Sequence, residues 1–235
     1  MIELKTVYET LKRAGVDFIS GVPDTLLNDF CLGLDIHWNQ EQHVLAANEG
    51  NAIALASGYH LATNTVPLVY MQNSGMGNSM SPLISLTDKH VYSIPMVMLI
   101  GWRGEPEIGD WPQHHRQGEL STVLLDTLNI PFKILDENEE SSLASIQWSV
   151  EEARRTHLPT ALLVKKNVLA KKEKSGFDES EQIYSLSREE AIMQIISELP
   201  DDTLFVASTG RITRELNAIR NLLGQSQEYL DLEKM

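Results

Sequence analysis

Cysteine is almost missing from this chain: Cys31 is the single one in 235 residues. A lone thiol forms no internal disulfide and supports no cysteine-based zinc site, so a reducing, cytoplasmic setting is expected. Long apolar runs are missing too. No stretch approaches the roughly 18–20 residues of a spanning helix. Met1-Ile2-Glu3-Leu4-Lys5 also lacks the basic patch and apolar core of a secretory signal, so no membrane partner is expected. Cations are in short supply, with 19 Lys and Arg against 33 Asp and Glu and a formal charge of −14. That argues against nucleic acid as the main partner, because neutralising phosphates needs clustered Lys and Arg. A small anionic ligand stays open, since it feels the local field of its site. The hydrophobic fraction of 42% is that of an ordinary globular chain. At roughly 150 residues per domain the length predicts one full domain and part of another.

What is present is an alternation of helical and strand patterns. Leu4, Val7, Tyr8 and Leu11 share a helical face over Glu3 to Gly15, and Val16 to Ser20 reads as a short buried strand. Gly21-Val22-Pro23-Asp24 is a turn, with Asp24 placed to begin a helix over 25–34. Strands are predicted over 42–46, 67–71 and 96–100, a small-residue helix from Glu49, and an apolar helix near 79–86. A polar loop then runs from Gly101 to Gly118, followed by helix 120–128, strand 132–135, helix 140–155 and strand 161–164. This order predicts a doubly wound α/β fold with a mainly parallel sheet covered on both faces. Ligands in such folds gather at the carboxyl ends of the strands, where the Gly21, Asn73 and Gly101 loops emerge. Lys165 to Gln182 reads as an exposed linker. Beyond it, helix 188–199, strand 203–207 and helix 211–223 begin a second α/β unit. The expected boundaries are 1–165 for the first domain, 166–185 for the linker and 186–235 for an incomplete second domain.

Three segments could carry chemistry. In Ala47-Asn48-Glu49-Gly50-Asn51, Glu49 is either a first-turn glutamate favoured by the helix dipole or a partly desolvated acid that shares a proton with a ligand nitrogen. Gln72-Asn73-Ser74-Gly75-Met76-Gly77-Asn78 is either a structural turn or a ligand cradle, in which the glycines let backbone approach a ligand and the next helix start offers N–H donors. Met80 breaks the dinucleotide pattern, Gln72 breaks the nucleophile elbow, and no Gly-Lys pair exists for a phosphate-binding loop. In Trp111-Pro112-Gln113-His114-His115-Arg116, adjacent histidines do not share a helix face, which disfavours joint metal ligation. One of them can still donate a proton near neutral pH, or both are plain surface residues. Cys31 reads as a helix-packing residue, with no basic neighbour to activate it.

The order of Gly21-Val22-Pro23-Asp24, Ala47-Asn48-Glu49-Gly50-Asn51-Ala52, Asn73-Ser74-Gly75-Met76-Gly77-Asn78 with Pro82-Leu83, and Pro112-Gln113-His114 resembles thiamine diphosphate-dependent decarboxylases. Within them it is most similar to the phosphonopyruvate decarboxylases and their sulfopyruvate relatives. The resemblance implies the thiamine diphosphate-binding fold, with the pyrimidine-binding domain in residues 1 to about 165. It makes Asp201 to Met235, with Ser208-Thr209-Gly210-Arg211, the opening of a diphosphate-binding domain. It assigns Glu49 to the aminopyrimidine N1′, where a glutamate favours the imino tautomer that activates the thiazolium carbon. It makes Asp24 and His114 candidates for proton handling and substrate positioning, with His115 a weaker one. Asn73, Gly75, Gly77 and Asn78 would lie beside the cofactor, and Arg103 and Arg116 would either meet an anionic substrate or be plain surface arginines. The implied reaction converts phosphonopyruvate to phosphonoacetaldehyde and carbon dioxide. The alternatives are the pyrimidine-domain subunit of a sulfopyruvate decarboxylase, or a non-catalytic module that binds a partner.

One departure stands out. The family holds magnesium and the diphosphate through Gly-Asp-Gly and a distant asparagine, whereas Gly109-Asp110 is followed by Trp111 and lies in the first domain. No metal ligands are therefore expected in this chain. Magnesium would be held by a missing domain or a second subunit, the partial second unit favouring a truncated single-chain enzyme. Family sites form between subunits, so a homo-oligomer or a hetero-assembly is expected.

Overall fold

A computed structural model of the chain describes residues 1–170, 185–200, 203–207 and 211–225. The core of the predicted linker and the Ser208-Thr209-Gly210 segment lie outside the described residues. The chain divides into two compact units, Met1–Glu173 and Lys174–Met235.

The first unit starts with helix α1 (Leu4–Ala14), which buries Leu4, Val7, Tyr8 and Leu11 along one face. It stops at Gly15, whose φ of 90° is a left-handed conformation that glycine adopts without a Cβ penalty. The chain then runs through β1 (Ile19–Gly21), α2 (Asn28–His37), β2 (His43–Leu45), α3 (Glu49–Thr63) and β3 (Leu68–Gln72). A 3₁₀ turn (Asn73–Gly75) leads into α4 (Met76–Pro82), which widens into a π turn at Leu83–Thr87 just after Pro82. A proline without an N–H inside a helix is a physical cause for such widening. Next come β4 (Val97–Gly101), α5 (Pro112–Thr127), β5 (Phe132–Leu135), α6 (Glu139–Thr156) and β6 (Thr160–Val164). The six strands line up as β2-β1-β3-β4-β6-β5, and every pairing is parallel.

Strand side chains alternate between two apolar layers. Leu68, Tyr70, Val97, Leu99, Leu162 and Val164 pack with α1, α2 and α6. Val69, Met71, Met98, Ile100, Ala161 and Leu163 pack with α3, α4 and α5 on the other face. This is the doubly wound parallel architecture that the alternating segments predict. The central strands show continuous apolar runs because both of their faces are covered.

Gly21 faces Leu45 on one side and Tyr70 on the other in the ladder register. A Cβ there would fall 2.2 Å from the Tyr70 carbonyl oxygen and 2.6 Å from its ring. The bare backbone lets Tyr70 reach across β1, so that its hydroxyl lies 3.0 Å from His43 Nε2, while Nδ1 of the same ring lies 2.7 Å from Asp35.

Helix starts differ from the sequence expectations at definite places. Helix α2 begins at Asn28 instead of residue 25, because Asp24 spends its carboxylate on the Leu26 amide in a turn ahead of the helix. Helix α4 begins earlier than residue 79, directly from the 3₁₀ turn. The expected loop up to Gly118 ends at Pro112, which takes the first helical position of α5 and puts His114, His115 and Arg116 on a helix. The first residues of the expected linker pack against the first unit: Val168 is buried and Leu169 bridges Ile2.

The second unit contains α7 (Arg188–Glu198) and α8 (Arg211–Leu222). A capping box between Ser187 and Glu190 opens α7. Ile196, Leu216 and Ile219 form its apolar centre, and Arg188 pairs with Glu215. The strand expected over 203–207 is absent from the described residues except for a single bridge at Ala207. Leu204 and Val206 stand exposed there, with no described neighbouring strand to complete a ladder.

Candidate functional site

From β1 the chain steps outward to β2, and from β3 it steps the opposite way to β4. The loops after β1 and β3 therefore part at the carboxyl edge, a topological switch point where such folds bind ligands.

Glu49 is the first residue of α3, next to the cap Asn48, whose side chain accepts from the Asn51 amide at 2.9 Å. Its half-buried carboxylate lies over Gly75. A Cβ on Gly75 would stand 2.4 Å from Glu49 Cγ and Oε1, so the seat exists because residue 75 has no side chain. Asn78 Nδ2 donates to Glu49 Oε2 at 2.8 Å. Helices α3 and α4 meet closely: a Cβ on Gly50 would be 2.9 Å from the Asn78 carbonyl. The small residues Ala52 and Ala56 of α3 are buried in the same layer.

A second group sits around the loop after β4. Asp24 is buried, with Oδ2 accepting from Leu26 N at 3.1 Å and Oδ1 without a partner among the described residues. A Cβ on Gly101 would come 2.3 Å from Asp24 Oδ2. Burial raises the Asp24 carboxyl above its ordinary value, opposed by the turn amides and the Arg103 charge. Arg103 donates from Nε and Nη2 to Asp110 at 2.8 and 2.7 Å, and from Nη1 to Thr25 Oγ1 at 3.1 Å. Asp110 also accepts from the amides of Gly104 and Trp111. The Arg103 hydrogen bonds hold its carboxyl well below the usual carboxylate range. His114, in the first turn of α5, has its value lowered by burial and then by Arg103. Its Nδ1 is buried with no partner among the described residues.

The structure thus gathers Glu49, Gly75 and Asn78 in one cluster, and Asp24, Arg103 and His114 in another. Asn73 lies between them and faces inward. Its Nδ2 donates to the Arg103 carbonyl at 2.8 Å and to Ser121 Oγ at 2.9 Å, and its Oδ1 accepts from Arg103 N. Gly77 is exposed and open on its Cβ side. His115 turns its Nε2 to the Asp110 carbonyl, and Arg116 stands exposed with Glu119. Cys31 is half-buried in α2, and burial pushes its thiol up to about 12, which leaves it an unreactive packing group. Sequence reasoning missed Asp110 as a partner of Arg103. An isolated acid seven residues from its base in a loop has no periodicity to betray it, although the N-terminus of α5 right after it is a recognisable signal.

A cavity of about 270 Å³ opens beside these groups, between Thr25, Arg103, Asp110 and Lys165. A larger one of about 1140 Å³ lies along α1 and α2 and holds none of the candidate catalytic side chains. Among the described residues no group of three or more His, Cys, Asp or Glu could hold a metal ion, and no helix is long and apolar enough to cross a membrane.

Comparison with known proteins places the chain in a family. Residues 4–125 match the family described as thiamine pyrophosphate enzyme, N-terminal TPP binding domain. A phosphonopyruvate decarboxylase of Streptomyces viridochromogenes is 30% identical over 92% of this chain and 57% of its own length. The α subunit of sulfopyruvate decarboxylase from Methanococcus maripaludis is 33% identical over 54% of this chain and 74% of that subunit. Benzoylformate decarboxylase from Polynucleobacter necessarius superposes with a TM-score of 0.53 at 12% identity, covering 84% of this chain and 36% of that one, a likeness of fold. The chain spans just over half the length of the phosphonopyruvate decarboxylases it matches. With the family match spanning residues 4–125, more than half of its length, the chain belongs to the thiamine pyrophosphate enzymes and carries their N-terminal TPP binding domain.

Proposed function

We propose that this chain provides the pyrimidine-binding part of a thiamine diphosphate-dependent 2-oxo acid decarboxylase that converts phosphonopyruvate to phosphonoacetaldehyde and carbon dioxide. The observation that carries this is the Glu49 carboxylate, fixed by Asn78 through one oxygen and seated where only a glycine leaves room. Its other oxygen, Oε1, makes no hydrogen bond among the described residues, so an acceptor is left over for a protonated ring nitrogen. Those features fit the aminopyrimidine end of the cofactor. When bound, thiamine diphosphate supplies the electron sink that lets a 2-oxo acid lose carbon dioxide.

The chain's own residues bind, orient and move protons around that chemistry. Glu49 holds the proton shared with the pyrimidine N1′. Asn78 fixes which carboxylate oxygen faces it, and Gly75 and Gly77 leave the cofactor wall low. Burial favours the neutral form of the His114 imidazole. The raised Asp24 carboxyl is placed to hold one nearer neutrality than an exposed aspartate would. We assign magnesium and the diphosphate to a Gly-Asp-Gly segment on other polypeptide, either a second subunit or a further domain. The domain reading is 1–165 for pyrimidine binding, 166–185 for a linker and 186–235 for the start of the diphosphate-binding unit. A cytoplasmic oligomer is the expected setting.

Sulfopyruvate is the second reading, favoured by the larger share of the sulfopyruvate α subunit that the match covers, 74% against 57%. Carbon dioxide release from each acid, measured with the chain assembled with its Gly-Asp-Gly partner, separates the two. In the same assembly Glu49→Gln should lower turnover by roughly 100-fold or more, the scale of a lost proton-transfer group. Unchanged turnover would reject the assignment.

A further inference from the structure

We infer that Arg103 is a positioning residue: clamped by Asp110, its guanidinium and backbone tie together the loops that present Asp24, Glu49's seat and His114. The inference rests on the proposed roles of those side chains.

The connections leave Arg103 in every direction. Nη1 reaches Thr25, the neighbour of Asp24 in the loop after β1. The Arg103 amide and carbonyl are both bonded to the Asn73 side chain, at the head of the 3₁₀ turn that ends in Gly75 under Glu49. Asn73 in turn holds Ser121 of α5. The Nε and Nη2 edge is taken by Asp110, which also caps the Trp111 amide at the entrance to α5 and so fixes where His114 begins. Both partners are largely buried, with side chains 20% and 13% exposed. A planar fork gripping two carboxylate oxygens fixes direction as well as distance. A free arginine in a substrate pocket would keep that edge open; here it is filled from within the chain.

Charge supports the same assignment. Among the described residues, the charged or titratable groups that act on His114 are Arg103, Asp110 and His115. Those facing Asp24 are Arg103 and the Cys31 thiol. Arg103 is common to both sets, favouring the ionised aspartate and the neutral imidazole at once.

The test separates charge from geometry. Arg103→Gln removes the charge and the side-chain fork, whereas Arg103→Lys keeps the charge and loses the fork; the main-chain bonds to Asn73 stay in both. The His114 ring is titrated by NMR in the 235-residue chain, and turnover is measured in the assembled enzyme. Arg103→Gln is expected to move the His114 midpoint upward, and Arg103→Lys to leave it near the wild-type position. Both should lower kcat by roughly 10- to 100-fold through misplacement. Equal midpoint shifts in the two variants, no shift in either, or full kcat in Arg103→Lys would overturn the inference. If Arg103→Gln does not fold, Asp110→Asn leaves the arginine charge unbalanced and must move the midpoint downward; an upward move counts against the inference. The titration judges Arg103 even if the wild-type assembly turns over neither acid, an outcome that refutes the functional reading instead.

Discussion

Replacing Gly75 by alanine isolates the seat of Glu49 from the rest of the fold. The backbone at Gly75 has φ −70° and ψ −14°, a right-handed conformation that alanine accepts without strain. The added methyl would stand 2.4 Å from Glu49 Cγ and Oε1 and 2.5 Å from Cδ. Carbon contacts settle near 3.5–4.0 Å, so the carboxylate must retreat by roughly 1 Å or more. It can do so, because the obstacle is the end of a flexible side chain rather than backbone. The retreat breaks the Asn78 hydrogen bond, worth about 0.5–1.5 kcal/mol. Loss of glycine's freedom in the unfolded chain returns about 0.4–1 kcal/mol. Stability should therefore change by no more than about 1 kcal/mol, a shift of roughly 2–4 °C for a chain of this size. Catalysis should fall far more, on the order of 100-fold for a group displaced by that distance. Thermal melting of the chain and carbon dioxide release by the assembled enzyme read the two quantities separately. Near-wild-type turnover would show that the position of Glu49 does not matter. A loss of several kcal/mol would show that Gly75 serves the core instead.

Two further outcomes follow from the geometry. Gly21→Ala drives a methyl into the Tyr70 carbonyl, a backbone atom that cannot swing away. It should cost about 3 kcal/mol, the upper part of the usual overpacking range, and an unchanged urea midpoint would contradict the β1–β3 register. Asp24 has a raised folded-state value, so its contribution to stability is full below the ordinary 3.8 and lost as pH rises through that raised value. Asp24→Asn should accordingly raise the melting temperature at pH 7 while giving no gain near pH 3, and an equal gain at both would refute the burial argument.

The fold was legible where burial alone decides structure. Val69 to Met71 and Met98 to Ile100 are apolar on both faces, and only a covered parallel strand makes use of that pattern. Boundaries failed where one side chain overrode local preference. Asp24 satisfies a turn amide and delays α2, and Pro112 looks like a loop residue until it is recognised as a favoured first residue of a helix. Within the site, Glu49, Gly75 and Asn78 could be anticipated because each lies in a segment with its own family pattern. Asn73 sits in the same segment yet braces the fold, since its amide is consumed by Arg103 and Ser121. The Arg103–Asp110 clamp was illegible, because a pairing across an irregular loop leaves no periodic trace in sequence.

Glu49 follows the outermost strand of the sheet, the place where a ladder has partners on one side only. Tyr70 acts as a stay running from the centre of the sheet to that rim. Passing over the naked backbone of Gly21, it anchors His43, whose far nitrogen is moored to an aspartate standing in water. The three-residue border strand is thus moored to the middle of the sheet by side chains as well as by its ladder, a short turn ahead of the acid.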